Sequence, residues 1–384
     1  MSTEQQLTAA IDAPLVADVG SAIALAIESA DGRRYLYVAG HTAAWQRDAH
    51  GELVPSLGAP VTANTLFDLA SLTKPMATST LIAQELSDAA SPWTLDTKIG
   101  ALLPRVAGLP VADRTVASLI SHASGLPAWR DFYAESVGEE DQREAIKAAV
   151  CASEPQRAAG QTAVYSDLGF LLLGWALEAT TGQNQDTLFN DRVARPLGLS
   201  RTAYGPVAGS ENGRSDVCAT EIWPPRCASG APLIGVVHDD NCAGLGGVAG
   251  HAGLFGTAGD VAIWARHWRG LVDGSIGPHE ARELGVDADI AQTLVALRGA
   301  PDTTWRGAFD TPSPPPAISN AGSSSPAGTF GHLGFTGTSV WVAPSVGSVV
   351  LLTNRVHPSR DNSTGIRRLR PAVHDLAWRW LRRD

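Results

Sequence analysis

The chain has strand-forming segments at both of its ends and mostly helix-forming sequence between them. Residues 21–28 and 34–39 are rich in Ala, Ile, Leu, Tyr and Val, and the Asp-Gly pair between them is a hairpin signal. Residues 338–343 and 347–353 form a second pair of apolar or alternating segments. Both pairs can share one antiparallel sheet only if the chain returns to its start. We therefore predict an α+β fold, with an antiparallel sheet flanked by helices and a separate, mostly helical lobe.

The predicted lobes divide the chain into three stretches that form one domain, residues 15–384. Residues of about 15–75 and 255–384 are predicted to form the α/β lobe, and residues of about 76–254 the helical lobe. The first 15 residues are predicted to be a mobile or loosely docked start. With 384 residues and 44% hydrophobic content, the chain can bury a substantial core, and a cleft between two lobes is a usual place for a site.

Three long helices are predicted from apolar periodicity and capping residues. Residues 167–181 form an apolar helix, and Thr257 begins a second helix with a capping pattern. The C-terminal helix is predicted to contain Pro371 in its first turn. Its apolar face is predicted to consist of Val373, Leu376, Ala377, Trp380 and Leu381.

Charge and hydropathy exclude several classes of protein. The formal net charge is -10, whereas broad nucleic-acid binding needs a cationic surface. The N-terminus lacks a basic segment followed by an apolar one, and no run of about 18 apolar residues occurs. We therefore expect a cytoplasmic protein without nucleic-acid or membrane partners, whose oligomeric state stays open.

No pattern in the sequence predicts a cofactor or a metal ion. The four cysteines match no zinc-site spacing and are expected to be free thiols, and no dinucleotide fingerprint or Walker loop stands out. A metal site is one interpretation of His238-Asp239-Asp240 together with His251, but polar loop residues explain these positions better. The cysteines are Cys151, Cys218, Cys227 and Cys242.

Ser71 and Lys74 are the first candidates for chemistry. Pro75 is tolerated only near a helix start, which places Ser71 at or just before a helix N-terminus. Residues three apart share one face of a helix, with Cβ atoms about 5–6 Å apart. A serine hydroxyl needs a neighbouring base to become a nucleophile, and an amine can serve. The pattern S-x-x-K alone is weak, because an ordinary surface helix can contain it by chance.

Two further motifs and three flanking stretches strengthen this interpretation. Residues 164–169 read VYSDLG, and residues 331–339 read GHLGFTGTS directly before a predicted strand. In this order the motifs resemble those of the serine β-lactamase and penicillin-binding-protein superfamily, on its class C β-lactamase-like and esterase side. Residues 67–75 (FDLASLTKP), 119–127 (LISHASGLP) and 246–255 (GGVAGHAGLF) also resemble segments of these hydrolases. The resemblance covers residues of about 15–380.

The resemblance implies a role for each matching residue. Ser71 would attack a carbonyl and form an acyl-enzyme, and Lys74 and Tyr165 would share the work of the general base. Tyr165 would need nearby cations to act as a phenolate, from Lys74 and with help from His332. The backbone N–H groups of Ser71 and Phe335 would form the oxyanion hole. Asp167, His332 and Gly334 would contact the substrate.

The chain departs from the β-lactamase pattern at two positions. Asp167 stands where Asn is usual, and an ionised Asp can only accept hydrogen bonds and can hold Lys74 charged. His332-Leu333-Gly334 replaces K-T-G and so removes a permanent cation and a hydroxyl. A register shifted to Phe335-Thr336-Gly337 is possible, but we favour the register with His332. The departures argue for neutral esters over penicillin-like substrates.

Three functions stay open at this point. The favoured one is a carboxylesterase acting on small esters through Ser71. A β-lactamase or an amidase for D-amino-acid peptides is the alternative within the same fold. The third is a catalytically inactive binding protein on this scaffold.

His122 is expected to make a structural hydrogen bond, whereas Trp129, Phe132 and Tyr133 either line an acyl pocket or simply pack.

Overall fold

The structure is a computed structural model. It describes residues 1–15, 19–209, 215–223, 226–227 and 230–383. The strands are β1 (Ala22–Ser29), β2 (Arg34–Gly40), β3 (Trp45–Arg47), β4 (Leu53–Pro55), β5 (Phe67–Asp68), β6 (Ala203–Tyr204), β7 (Leu254–Gly256), β8 (Phe330–Leu333), β9 (Ser339–Ala343) and β10 (Gly347–Thr353). The first seven helices are α1 (Thr3–Leu15), α2 (Thr80–Ser87), α3 (Ile99–Leu102), α4 (Val116–Ile120), α5 (Phe132–Glu135), α6 (Gln142–Cys151) and α7 (Asp167–Thr181). The others are α8 (Gln185–Phe189), α9 (Arg195–Leu197), α10 (Asp240–Gly244), α11 (Ala258–Asp273), α12 (Pro278–Leu284), α13 (Ala288–Ala296) and α14 (Thr364–Arg382).

The main sheet joins the two ends of the chain, as the sequence predicts. Its five antiparallel strands follow the order β2-β1-β10-β9-β8. The central pair consists of β1 and β10, with Leu25 opposite Leu351. This pairing, between residues more than 300 positions apart in the sequence, confirms the predicted α+β fold.

Helices cover both faces of this sheet, and the composition of β1 shows why. All eight residues of β1 are buried, and the first six are apolar without alternation. Ile23, Leu25 and Ile27 point to the face that α1 and α14 cover. The alanines between them point to the opposite face, where their small side chains leave room for α11.

The N-terminal segment is a docked helix, which corrects the prediction of a loose start. Leu7 and Ile11 in α1 are both fully buried, in the cluster that α14 and one face of the sheet form. Their spacing of four residues is that of one helix face. Because this stripe is only two residues long, it is easily overlooked in the sequence.

The C-terminal helix begins seven residues before Pro371, so placing this proline in the first turn was wrong. Pro371 lies inside α14, which starts at Thr364. Ile366 and Leu369 are buried and continue the predicted apolar face toward the N-terminus. This burial offsets the backbone hydrogen bond that proline cannot make.

A small second sheet brings the predicted nucleophile segment against the glycine-rich stretch. Its strand order is β5-β7-β6, and Phe67 lies opposite Gly256. Two strands of this sheet have only two residues each, so the sheet is not predicted from the sequence. The division into two lobes at the predicted boundaries stays a prediction.

Other local predictions are confirmed. The helix predicted at residues 167–181 is α7, and the Thr257 side chain caps α11 by accepting a hydrogen bond from the backbone N–H of Asp260. All four cysteines are free and buried. Within the described residues, no helix combines the length and the apolar character that crossing a membrane requires.

Candidate active site

Ser71 lies in a helical segment that starts with a strained residue. The turn Ala70–Leu72 follows β5, and the segment continues through Lys74–Ser79 into α2. Ala70 has a φ of 49°, which is rare for a residue with a side chain. The carboxylate of Asp68 accepts the backbone N–H of Ala70 at 2.8 Å and stabilises this conformation. The Ser71 side chain therefore sits at the start of a helix and stays partly exposed.

Lys74 is completely buried, and its ammonium group donates two hydrogen bonds and forms an ion pair. Its Nζ donates to the Ser71 Oγ at 3.0 Å and to the backbone carbonyl of His251 at 3.1 Å. The same nitrogen lies 2.7 Å from the Asp167 Oδ1. The structure thus brings the first two motifs together around one buried cation.

Tyr165 and Asp167 lie at the N-terminus of α7, where one loop carbonyl and one imidazole hold the backbone. The N–H of Ser166 donates to the Nδ1 of His122 at 3.1 Å, and the N–H of Asp167 to the carbonyl of Ala128 at 3.0 Å. His122 thus makes the structural hydrogen bond that the sequence predicts. The Tyr165 hydroxyl interacts with both Lys74 and Ser71.

The protonation states correct one part of the predicted mechanism. Burial alone would lower the pKa of the Lys74 ammonium, but the charges and hydrogen bonds of Asp167 and Tyr165 outweigh it and raise the pKa. Burial also raises the pKa of the Tyr165 phenol, and the Lys74 charge offsets only part of this rise. The predicted phenolate is therefore not the resting form, because both groups keep their protons at neutral pH.

The turn between β8 and β9 is fastened to the residues just before Ser71. The hydroxyl of Thr336 donates to the carbonyl of Asp68 at 2.7 Å, and that of Thr338 donates to the carbonyl of Leu69 at 3.0 Å. Arg370 adds a bond to the carbonyl of Gly334 at 3.0 Å. A Cβ on Gly334 would lie 2.0 Å from the Thr338 Oγ1, so only glycine fits this close approach.

Phe335 lies in this turn at the edge of the site. Its carbonyl accepts the Arg355 Nε at 2.6 Å, and the Arg355 guanidinium lies 4.2 Å from the centre of its ring. Across the described residues its backbone N–H has no protein acceptor, and 53% of the side chain is exposed. This N–H is therefore available to a substrate.

His332 lies beside Tyr165 but is not a cation, which corrects its predicted role in helping the phenolate. The two ring centres are 5.8 Å apart. Burial and the nearby Lys74 charge lower the pKa of His332 to about 3. Its Nδ1 donates to the carbonyl of Leu333 at 2.7 Å, so its Nε2 carries the lone pair and finds no hydrogen-bond partner among the described residues.

The register with His332 agrees with these contacts better than the shifted one. In the shifted register the Thr336 hydroxyl would face the substrate, yet it is buried and donates to the Asp68 carbonyl. His332 instead lies on β8 next to the Tyr165 ring.

Aromatic side chains surround Tyr165, and one of them, Trp305, was not predicted from the sequence. The Trp305 ring lies 4.9 Å from Tyr165, 4.7 Å from His122 and 5.5 Å from His332, measured between ring centres. Trp305 lies in the loop between α13 and β8, and no motif in the sequence marks it. Of the three aromatic residues whose roles were left open, Phe132 is buried in the core, whereas Trp129 is 50% exposed.

The polar residues around the glycine-rich stretch divide into two groups. The His251 Nε2 lies 2.9 Å from the Asp239 Oδ1, whereas His238 pairs with Glu221 at 3.1 Å. Asp167, Asp239 and His251 each bring a potential ligand atom within 4.8 Å of the others. The interpretation of His238, Asp239, Asp240 and His251 as polar loop residues stays a prediction, and the His251 carbonyl accepts a hydrogen bond from Lys74.

Comparisons with known proteins show the family to which the chain belongs. A family model described as Beta-lactamase matches residues 26–374. The chain is 28% identical over 327 residues to a putative D-alanyl-D-alanine carboxypeptidase from Escherichia coli K12, covering 77% of this chain and 70% of that protein. It is 30% identical over 323 residues to an N-acetylmuramyl-L-alanine amidase from Bacillus subtilis 168, covering 76% and 68%.

Solved structures give the same picture for the fold. A class C β-lactamase from Rhodobacter sphaeroides superposes with a TM-score of 0.67 at 17% identity, covering 97% of this chain and 98% of that one. At this level of identity the likeness concerns the fold alone.

Proposed function

The chain belongs to the Beta-lactamase family of serine hydrolases, and on that premise we propose that Ser71 is its nucleophile and forms an acyl-enzyme. The proposal rests on the contacts of Lys74, whose Nζ lies 3.0 Å from the Ser71 Oγ and 2.7 Å from the Asp167 Oδ1. The lysine side chain is completely buried. A buried lysine next to a partly exposed serine is the arrangement that an activated nucleophile needs.

In the proposed reaction the Ser71 Oγ attacks the carbonyl carbon of the substrate. The proton of Ser71 passes to the Lys74–Tyr165 pair in the fraction of molecules in which that pair has lost one proton. The leaving alcohol or amine takes up a proton from the same pair, and the C–O or C–N bond breaks. Water then attacks the ester carbonyl of the acyl-enzyme, releases the acid and restores Ser71.

The negative charge that develops on the carbonyl oxygen needs donors placed in advance. The backbone N–H of Phe335 is available, and the turn that contains it is fastened to Asp68 and Leu69, close to Ser71. We assign the oxyanion hole to the N–H groups of Ser71 and Phe335.

The substrate is proposed to be a small neutral ester, with Asp167, His332 and Gly334 at its binding surface. The position of the third motif carries a neutral imidazole with an unpartnered, buried Nε2. Such a nitrogen accepts a hydrogen bond and gives no charge to a carboxylate. This favours uncharged substrates over penicillin-like acids, in agreement with the expectation from the sequence.

An amide is the second candidate, because two of the relatives are named as an amidase and a putative carboxypeptidase. The bond between N-acetylmuramic acid and L-alanine has no free carboxylate next to it when the alanine continues as a peptide. A D-alanyl-D-alanine terminus does carry one. The neutral His332 therefore fits the first of these amides better than the second.

A catalytically inactive binding protein is the candidate of another class. The contacts among Ser71, Lys74 and Tyr165 argue against it, since a binding protein has no need of a buried ammonium donating to a serine hydroxyl. The cytoplasmic location expected from the sequence is kept as a proposal, which cell fractionation tests.

Turnover of four substrates by the purified protein and its Ser71→Ala variant tests the function. The substrates are a short-chain p-nitrophenyl ester, a chromogenic cephalosporin, an N-acetylmuramyl peptide and a D-alanyl-D-alanine peptide. Turnover of the ester or of the muramyl amide, lost in the variant, supports the proposal and selects its substrate. If the cephalosporin or the D-alanyl-D-alanine peptide is turned over fastest, the argument that the neutral His332 favours substrates without a carboxylate is wrong. If the parent turns over none of them faster than the variant, the binding-protein hypothesis takes its place.

A further inference from the structure

The Lys74 ammonium contacts side chains, among them Ser71 and Asp167, and it also donates to the backbone carbonyl of His251 at 3.1 Å. A backbone carbonyl can orient an ammonium group only if the segment that carries it is rigid. Here the segment is glycine-rich, which by itself gives the chain unusual conformational freedom. Something must therefore hold the His251 carbonyl in place.

The Thr78 hydroxyl fastens the neighbouring Gly250 carbonyl at 2.7 Å, and the side chain of His251 fastens the residue itself. The His251 imidazole is 1% exposed and lies 2.9 Å, through its Nε2, from the Asp239 Oδ1. Because an ionised carboxylate can only accept, the imidazole Nε2–H is the donor. The bond closes the loop between the two residues, which contains Gly246 and Gly247, both with positive φ.

Asp239 is itself fixed. It is the N-cap of α10, where its Oδ1 accepts the backbone N–H of Cys242 at 2.7 Å. Burial alone would raise the pKa of the Asp239 carboxyl, but the interactions with His251, the Cys242 backbone and Lys74 hold the pKa well below its ordinary value. The anchor of the loop is thus a rigid, ionised group.

A metal site is the rival interpretation, because Asp167, Asp239 and His251 place ligand atoms within 4.8 Å of one another. However, the Lys74 ammonium already lies 2.7 Å from Asp167 and donates to the His251 carbonyl. A divalent ion among these atoms would have to sit next to a buried positive charge, which repels it strongly at low dielectric. The lysine itself is the cation of this cluster.

We propose that Asp239 and His251 form a positioning dyad, which fixes the His251 carbonyl and so holds the Lys74 ammonium in line with Ser71. The dyad touches no substrate. It acts on catalysis only through the placement of Lys74, and a displacement of about 1 Å at such a group can reduce the rate about 100-fold. This inference rests on the proposed role of Ser71 as the nucleophile.

Three variants test the dyad. His251→Phe keeps a ring and removes both nitrogens, whereas His251→Gln keeps a donor that can reach Asp239. Asp239→Asn keeps an oxygen that can cap α10 and removes the charge. His374→Phe is the matched control, because His374 is also completely buried but lies on α14, bonded to the carbonyl of Asn320.

Two measurements use the intact protein and need no knowledge of the natural substrate. One is the rate at which a fluorophosphonate probe labels Ser71, followed by mass spectrometry. The other is the hydrolysis of p-nitrophenyl acetate, separated into kcat and KM. We expect His251→Phe to lower the labelling rate and kcat about 100-fold, with KM changed less than about threefold. Asp239→Asn should lower the labelling rate and kcat by a smaller factor. His251→Gln should recover at least about tenfold of the rate lost in His251→Phe. The control should keep the parent's kcat.

The outcomes separate the two proposals. If the parent's Ser71 is not labelled and Ser71→Ala changes nothing, the proposed function fails. If Ser71 is labelled but His251→Phe reacts within about twofold of the parent, only the dyad is refuted. A role limited to stability is indicated if His251→Gln is as slow as His251→Phe and both unfold at lower temperature. Loss of activity on dialysis against EDTA, restored by Zn²⁺ alone, also overturns the proposal, since it makes the cluster a metal site.

Discussion

The ammonium nitrogen of Lys74 lies 2.7 Å from the Asp167 Oδ1, in a pocket where the lysine side chain is completely buried. The pair explains how a cation can exist there, because burial alone would favour the neutral amine. It also sets a condition on catalysis. The amine can accept the proton of Ser71 only after it has lost its own, and Asp167 opposes that loss.

Asp167→Asn is therefore expected to shift activity toward lower pH. The carboxylate raises the pKa of Lys74, so without it the effect of burial dominates and the pKa falls. The rising limb of kcat/KM against pH should lie in the alkaline range for the parent and move to lower pH by about one unit or more in the variant. The measurement is ester hydrolysis across the pH range, corrected for spontaneous hydrolysis. Asp113→Asn, at an exposed ion pair with Lys98, is the control. A limb that stays in place contradicts the assignment of Lys74.

Tyr165→Phe should lower kcat by about 10²–10⁴-fold, the usual contribution of a general acid–base group. The phenol interacts with Lys74 and Ser71, and its ring packs against Trp305, so removing only the hydroxyl keeps the packing. Tyr37→Phe, on β2 with its hydroxyl bonded to Asp12, is the matched control and should retain full activity. Equal rates for the parent and Tyr165→Phe would remove Tyr165 from the mechanism.

His332→Gln should leave the shape of the pH profile unchanged between about pH 5 and pH 8. The pKa of His332 is lowered to about 3, so the imidazole is neutral throughout that range and has no proton to lose there. The comparison of kcat/KM against pH for the two proteins checks this. If the parent shows an inflection near the ordinary pKa of histidine that disappears in the variant, His332 is a cation after all.

The sequence predicts the parts of this protein that depend on local pattern. Apolar strands at both ends of the chain predict one sheet, because strands that need partners must find them within the chain. Ser71 and Lys74 are candidates from their spacing, Tyr165 and Asp167 follow from the resemblance of their motif to those of a known family, and the structure brings all four together.

The protonation states and the supporting contacts could not be predicted in the same way. Whether Lys74 is charged depends on its burial and on the distance between its Nζ and the Asp167 Oδ1. Neither can be deduced from the spacing of the two motifs along the sequence. The bond between Thr336 and the carbonyl of Asp68 joins residues 268 positions apart. Trp305 and the Asp239–His251 pair likewise acquire their roles only when distant segments fold onto the site.

Gly334→Ala should lower kcat, which ester hydrolysis by the folded variant measures. The added Cβ would lie 2.0 Å from the Thr338 Oγ1 and 2.7 Å from the carbonyl oxygen of Leu69, so the turn must move away from the nucleophile segment. That movement also shifts the N–H of Phe335, and we expect a loss of about 100-fold in kcat. Gly259→Ala on α11 is the control, because the nearest atom to its Cβ is 3.8 Å away. A variant with the parent's kcat would show that this turn does not position the oxyanion hole.

Leu7→Ala tests whether the N-terminal helix belongs to the folded domain. Leu7 lies on α1 and is completely buried against α14 and the sheet. Truncating its side chain therefore removes apolar contacts and leaves a cavity. The free energy of unfolding should fall by about 2–5 kcal/mol, whereas Ala9→Gln on the exposed side of α1 should change it by less than about 0.5 kcal/mol. Urea denaturation followed by circular dichroism gives both values. The candidate site does not lie on the face of the sheet that α1 and α14 cover. The kcat of the folded Leu7→Ala protein should therefore equal that of the parent. An unfolding energy unchanged by Leu7→Ala would mean that α1 is only loosely attached, as the sequence alone suggests.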